Sequence, residues 1–108
     1  MRRSAELSSQ QDSLPSDGLK LRLYVAGQSP NSVRAIANLR AICQKQLAHV
    51  SWQLEIVDVF VEPLRAVEDH ILVTPTLLKL TPPVAHIVGD LSQRETVLKA
   101  LGLTRRKE

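Results

Sequence analysis

Leu19, Leu21, Leu23 and Val25 alternate with Lys20, Arg22 and Tyr24, and this period of two stops at Gly27. Such alternation puts every second side chain on one face of a sheet, so the segment reads as a strand with one strongly apolar face. Ser29 is placed as a helix N-cap, and Pro30 fits the first helical turn, where its missing N–H costs nothing. Val33, Ile36, Leu39, Ile42, Cys43 and Leu47 then recur at helical spacing, with Arg34, Asn38, Arg40 and Lys45 on the other sides, which predicts a helix to about Ala48. From Ser51 to Val61, the residues Trp52, Leu54, Ile56, Val57, Val59 and Phe60 are dense in β-formers and predict a strand buried on both faces. A helical crossover of this length joins parallel strands, so the first half is a right-handed βαβ unit.

Glu62 and Pro63 suit a first helical turn, and Leu64, Val67 and Ile71 recur at three and four residues, which predicts a second, short helix ending before Thr74-Pro75. Thr76 to Leu80 and Val84 to Val88 read as two strands joined through Pro82-Pro83, with Gly89-Asp90 as the stop. Ser92 and Glu95 match the S-x-x-E capping box, Val97, Leu98 and Leu101 share one helical side, and Gly102 stands where a C′ glycine ends a helix. The order βαβαββα is an α/β, thioredoxin-like arrangement, in which Thr74-Pro75 falls where that fold carries a cis-proline. Pro75 reads as a turn proline, as a cis-proline presenting Val73 and Thr74, or as a slow X-Pro bond that times a switch.

With 108 residues the chain fits one domain. The opening 1–18 is rich in Ser, Gln and Asp and reads as a disordered lead-in, 19–103 as the domain, and 104–108 as a disordered basic tail. No signal-peptide core or membrane-spanning run is legible, so the expected location is cytoplasmic. Part of the net charge of +3 comes from Arg105, Arg106 and Lys107, and Tyr24, Trp52 and Phe60 are the only aromatics, with Trp52 and Phe60 reading as strand residues. That is not the interleaving of cations and stacking rings used to bind single strands, so no nucleic-acid partner is expected.

Enzyme chemistry finds little to work with. The single cysteine, Cys43, lies within the first helix on its apolar side, so it reads as inert, and a disulfide oxidoreductase of C-x-x-C type is excluded. His49, His70 and His86 fall on separate elements without a second ligand at metal spacing, so neither a metal nor a cofactor is expected. Ser29 and Ser32 have no local histidine to activate them. Asp58 reads as a strand-end or cap residue in preference to a perturbed carboxylate. No phosphate-binding glycine loop is present.

Three segments, LRLYVAGQSPNSVRAIANL, VTPTLLKL and IVGDLSQRETVLKALG, cover nearly all of the foldable chain and resemble the KaiB family of clock adaptors. The resemblance implies a non-enzymatic protein that binds a KaiC-type hexameric ATPase through its thioredoxin-like form, with a KaiA-like regulator or a clock histidine kinase as further partners. It also implies an alternative ground fold, βαββααβ, usually tetrameric, whereas the thioredoxin-like form is expected as a monomer. Family sequences commonly read I-G-L-D where this chain has Lys99, Ala100, Leu101 and Gly102. Alanine in place of glycine favours a helix by about 1 kcal/mol, so the thioredoxin-like form is expected as the major state.

The resemblance implies partner contacts at Arg22, Arg34, Glu68, Asp69, His70 and Lys79, and fold-switch positions at Pro75, Pro82, Pro83, Ala100 and Gly102. His70 stands where the family commonly has lysine, and Ala85 and His86 where it commonly has basic residues. By residue type alone, the charged side formed by Glu62, Arg65, Glu68, Asp69 and His70 reads as a solvated helix face. Two other functions stay open at this point: a thioredoxin-fold oxidoreductase lacking C-x-x-C, and a stand-alone sensory module that binds a histidine kinase.

Overall fold

The predicted order of elements is the one the chain adopts. The computed structural model describes residues 18–48 and 50–102. They form β1 (Leu19–Val25), α1 (Pro30–Gln46), β2 (Trp52–Asp58), α2 (Pro63–Glu68), β3 (Thr76–Lys79), β4 (Ala85–Val88) and α3 (Arg94–Ala100). The four strands make one sheet in the order β2-β1-β3-β4. β1 and β2 are parallel, with Leu19 opposite Trp52 and Val25 opposite Asp58. β3 runs antiparallel to β1, and β4 antiparallel to β3. This is the thioredoxin-like order, and Arg94–Ala100 is helical.

The alternation in β1 divides the core in two. Leu19, Leu21, Leu23 and Val25 pack with Ala35, Leu39, Ile42, Cys43 and Leu47 of the α1 segment and with Val97, Leu98 and Leu101 at α3. On the opposite face a smaller cluster joins Tyr24, Val57, Ala66 and Leu78, with Val59, Ile71 and Leu80 against it. α1 and α3 therefore cover one face of the sheet, and α2 covers part of the other. Gly102 follows α3 with φ 77°, the left-handed conformation expected of a C′ glycine. The Thr74-Pro75 and Pro82-Pro83 bonds are both cis.

Several expectations are corrected. β2 is an edge strand in which only Val57 is buried, because β1 supplies its single paired neighbour. The strand ends at Asp58, and Phe60 lies in the following turn, 75% exposed. Asp58 Oδ1 accepts from the amides of Gly27 and Phe60 at 3.1 and 2.9 Å, which ties that turn to the loop after β1. Val33 of α1 is half exposed, and Ser32 takes its place inside, where its hydroxyl accepts from the Ala26 amide at 3.0 Å. Ser29 is the N-cap of α1 by position, yet its hydroxyl donates to Ser32 Oγ instead of closing the helix end. The capping box at Ser92 is not formed: α3 begins one residue later with Gln93 as N-cap, and the Ser92 amide donates to Asp90 Oδ1 at 3.1 Å.

The lead-in, apart from Gly18, the basic tail and His49 lie outside the described residues. Among the described residues, no helix is long and apolar enough to cross a membrane.

Candidate partner-docking surface

α2 is turned the other way from what its apolar spacing predicts. Leu64 and Val67 point outward, 73% and 68% exposed, while Ala66 is buried and Arg65 and Asp69 are half-buried toward the sheet. Of the apolar triplet, only Ile71 packs inward. The cause is the polar row of the sheet that α2 covers. Arg22 of β1 and Glu55 of β2 stand side by side in the parallel ladder, and Tyr24 is the next residue of that row in β1. These groups need charged and hydrogen-bonding partners, and α2 supplies them.

The result is a chain of alternating charge. Glu62 lies 3.3 Å from Arg65, and Arg65 makes two bonds to the Glu55 carboxylate, at 2.6 and 2.8 Å. Arg22 then donates to Glu55 and to Asp69, each at 2.9 Å. The buried Tyr24 hydroxyl donates to Asp69 Oδ2 at 2.5 Å, with the Arg65 carbonyl a longer second acceptor at 3.1 Å. Bonds from Arg65 and then Arg22 hold the Glu55 carboxyl at about 2. Burial, then the bond to Asp69, pushes the Tyr24 phenol up to about 12. Burial opposes ionisation of Asp69, but the bonds from Tyr24 and Arg22 outweigh it and hold the carboxyl below the usual range.

With its charges matched inward, this side of the molecule shows apolar groups outward. Phe60, Val61, Leu64, Val67, Leu72 and Val73 are each at least half exposed, and all lie on α2 or in the segments that enter and leave it. A run of large apolar side chains around one short helix is the kind of surface that marks a protein interaction site.

The other expected contact residues are spread over the fold. Glu68 and His70 are exposed at the end of α2, His70 in a left-handed conformation with φ 59°. Arg34 lies on α1, bonded to Asp90 at 3.2 Å and to Asn31. Lys79 is 4% exposed and points to the α1 and α3 side, so it is covered in this fold. The structure thus groups Arg22, Asp69, Glu68 and His70 at α2 and leaves Arg34 and Lys79 apart. Tyr24 and Glu55 complete the group, and sequence reasoning misses both, since it reads Tyr24 only as part of a strand. Of the fold-switch positions, Pro75 is buried before β3, Pro82 and Pro83 are exposed between β3 and β4, and Ala100 ends α3.

Among the described residues, no group of three His, Cys, Asp or Glu side chains could hold a metal ion. Cys43 is fully buried, and desolvation pushes its thiol up to about 11.

A profile of the KaiB domain matches residues 22–103, which include every α2-side residue described above. The chain is 54% identical over 84 residues to the circadian clock oscillator protein KaiB of Thermostichus vulcanus, an alignment covering 77% of each chain. The chain belongs to the KaiB family. It is also 52% identical to the KaiB of Prochlorococcus marinus strain MIT 9312, over 77% of this chain and 79% of that one. Among solved structures, the N-terminal domain of Synechococcus elongatus SasA superposes with a TM-score of 0.68 at 23% identity, covering 94% of this chain and 99% of that domain. The germline-specific thioredoxin Deadhead of Drosophila melanogaster superposes with a TM-score of 0.63 at 15% identity, covering 79% and 81%. At those identities the two likenesses speak for the fold, which is thioredoxin-like, and this KaiB-family chain shares it.

Proposed function

We propose that this chain is a non-enzymatic, cytoplasmic clock adaptor that docks on a KaiC-type hexameric ATPase through its α2 side while in the thioredoxin-like form. The observation that carries the reading is the inverted α2, which spends its charges on the sheet and turns Leu64 and Val67 to solvent. Membership of the KaiB family supports the class of partner. A KaiA-like regulator and a clock histidine kinase are further partners on the same reading, the kinase as a competitor for the ATPase. The raised thiol of the buried Cys43 is the opposite of an activated nucleophile and speaks against an oxidoreductase.

In this reading Arg34, Glu68 and His70 flank or extend the docking surface, and Arg22 supports it from beneath. Ala100 and Gly102 favour the α3 helix, with Pro75, Pro82 and Pro83 as the other positions that govern a switch of fold. A protein already in its binding-competent form avoids the affinity loss that a rare competent state imposes. Size-exclusion chromatography with the ATPase and nucleotide tests the proposal. Co-elution that is lost in Leu64→Asp and Val67→Asp supports it, whereas separate elution of the wild-type protein after prolonged incubation moves the function to another signalling partner.

A further inference from the structure

We infer that Asp69 is a positioning residue of the docking surface, locked by Tyr24 and Arg22 so that it fixes where α2 ends and where Leu72 and Val73 emerge, and that it does not itself touch the partner. The inference rests on the docking role proposed above for the α2 side, and it reverses the contact role that the family resemblance gives this aspartate.

Three elements of the fold meet at this one residue. Its carboxylate is bound to β1 twice, by the Tyr24 hydroxyl at 2.5 Å and by Arg22 Nη1 at 2.9 Å. Its amide donates to the Arg65 carbonyl at 3.0 Å and closes α2 as the C-cap. Its own carbonyl lies 3.3 Å from His86 Nε2 on β4. The chain then reverses through His70 at φ 59°, and the Ile71 amide donates to the Ala66 carbonyl at 2.8 Å. Immediately beyond stand Leu72 and Val73, 91% and 50% exposed.

A residue used for contact offers the partner an uncommitted charge. The Asp69 side chain is 24% exposed, and its charge is matched by Arg22 within its own chain. Tyr24, the donor on the other side, is fully buried. Both bonds fall on Oδ2, so turning that oxygen toward a partner would leave Arg22 with Glu55 alone and the buried Tyr24 hydroxyl with only the longer bond to the Arg65 carbonyl. The same lock explains how a helix of six residues, too short to hold itself together, keeps a defined position on the sheet.

The test uses Asp69→Asn, which preserves shape and removes charge, and Tyr24→Phe, which removes the donor. Tyr24 is the only tyrosine, so its ionisation can be followed without ambiguity. In Asp69→Asn the phenol should ionise below about 12, because its burial remains while the charge of its acceptor is removed. In both variants the amides of His70 to Val73 should exchange faster, and affinity for the ATPase should fall about tenfold, the size of one lost charge-assisted bond. Weaker binding with unchanged titration and exchange would make Asp69 a direct contact and overturn the inference. So would altered titration and exchange with wild-type binding. If the wild-type protein does not bind, the docking proposal and this role fall together, whereas loss of binding in Leu64→Asp beside wild-type behaviour of Asp69→Asn overturns the positioning role alone.

Discussion

Lys79 stands opposite Leu21 in the β1–β3 ladder, a lysine in the core-facing row of the sheet with only 4% of its surface exposed. Its Nζ ends 3.9 Å from the place a Cβ on Gly102 would take, beside the last turn of α3. A cation there faces the negative end of the helix dipole, and its aliphatic stem fills the space between β3 and α3. Lys79→Glu puts a covered carboxylate at that same end and should cost about 2–4 kcal/mol in urea unfolding. Lys79→Met keeps the stem and should stay within about 1 kcal/mol of wild type. A wild-type unfolding midpoint for Lys79→Glu would show that the side chain reaches solvent.

Two glycines with similar backbone angles should respond differently to alanine. Gly18 has φ 78°, and a Cβ there would lie 2.1 Å from the Ser51 carbonyl oxygen, the group that accepts from the Leu19 amide. Gly102 has φ 77°, but its nearest neighbour would be the flexible Lys79 Nζ. Gly102→Ala therefore carries only the conformational cost, about 1–2 kcal/mol. Gly18→Ala must also move the start of β1 away from Ser51 and should cost about 3 kcal/mol or more. Equal unfolding midpoints for the two variants would contradict the close approach at Gly18.

The thiol of Cys43 offers a direct check on the core. With the pKa moved from 9.0 to about 11, the thiolate fraction at neutral pH falls by about a hundredfold, before steric exclusion is counted. Labelling of the native protein by a thiol reagent should be slow and should accelerate in urea in step with unfolding. Rapid labelling in native buffer would mean that Cys43 is reachable, and would bring the oxidoreductase reading back.

The fold was legible where a pattern has one physical meaning. The alternation from Leu19 to Val25, the proline at the start of α1 and the glycine after α3 each allow one local structure, and each appears where expected. The errors fall where two meanings compete. A dense apolar run such as Trp52–Val61 fits a central strand or an edge strand equally well, and only the sheet order decides. Leu64, Val67 and Ile71 have the spacing of a buried face, but the charged row beneath α2 claimed the inward positions. That row comes from pairing Arg22 with Glu55, residues 33 apart whose register is set by the whole βαβ unit. The capping box at Ser92 failed for a local reason, since the Asp90 side chain took the Ser92 amide first.

The charge chain under α2 should make the protein sensitive to acid, with Glu55 the clearest contributor. Its pKa is about 2 in the folded protein against an ordinary 4.5, so the unfolded chain binds more protons as the pH falls. The stabilisation is complete above pH 4.5 and is lost progressively as the pH drops to about 2. Because the Glu55 side chain is 48% exposed, solvent screening limits its share to about 1 kcal/mol or less. Glu55→Gln should therefore lower stability slightly at neutral pH and flatten the decline between these limits, without removing it. Asp69, held low by Tyr24 and Arg22 against the cost of its burial, and Asp90, held low by Ser92 and Arg34, keep the remainder. Urea titrations from pH 7 down to pH 2 on both proteins check this, and an unchanged slope in Glu55→Gln would mean that Arg22 and Arg65 do not hold the carboxylate in solution.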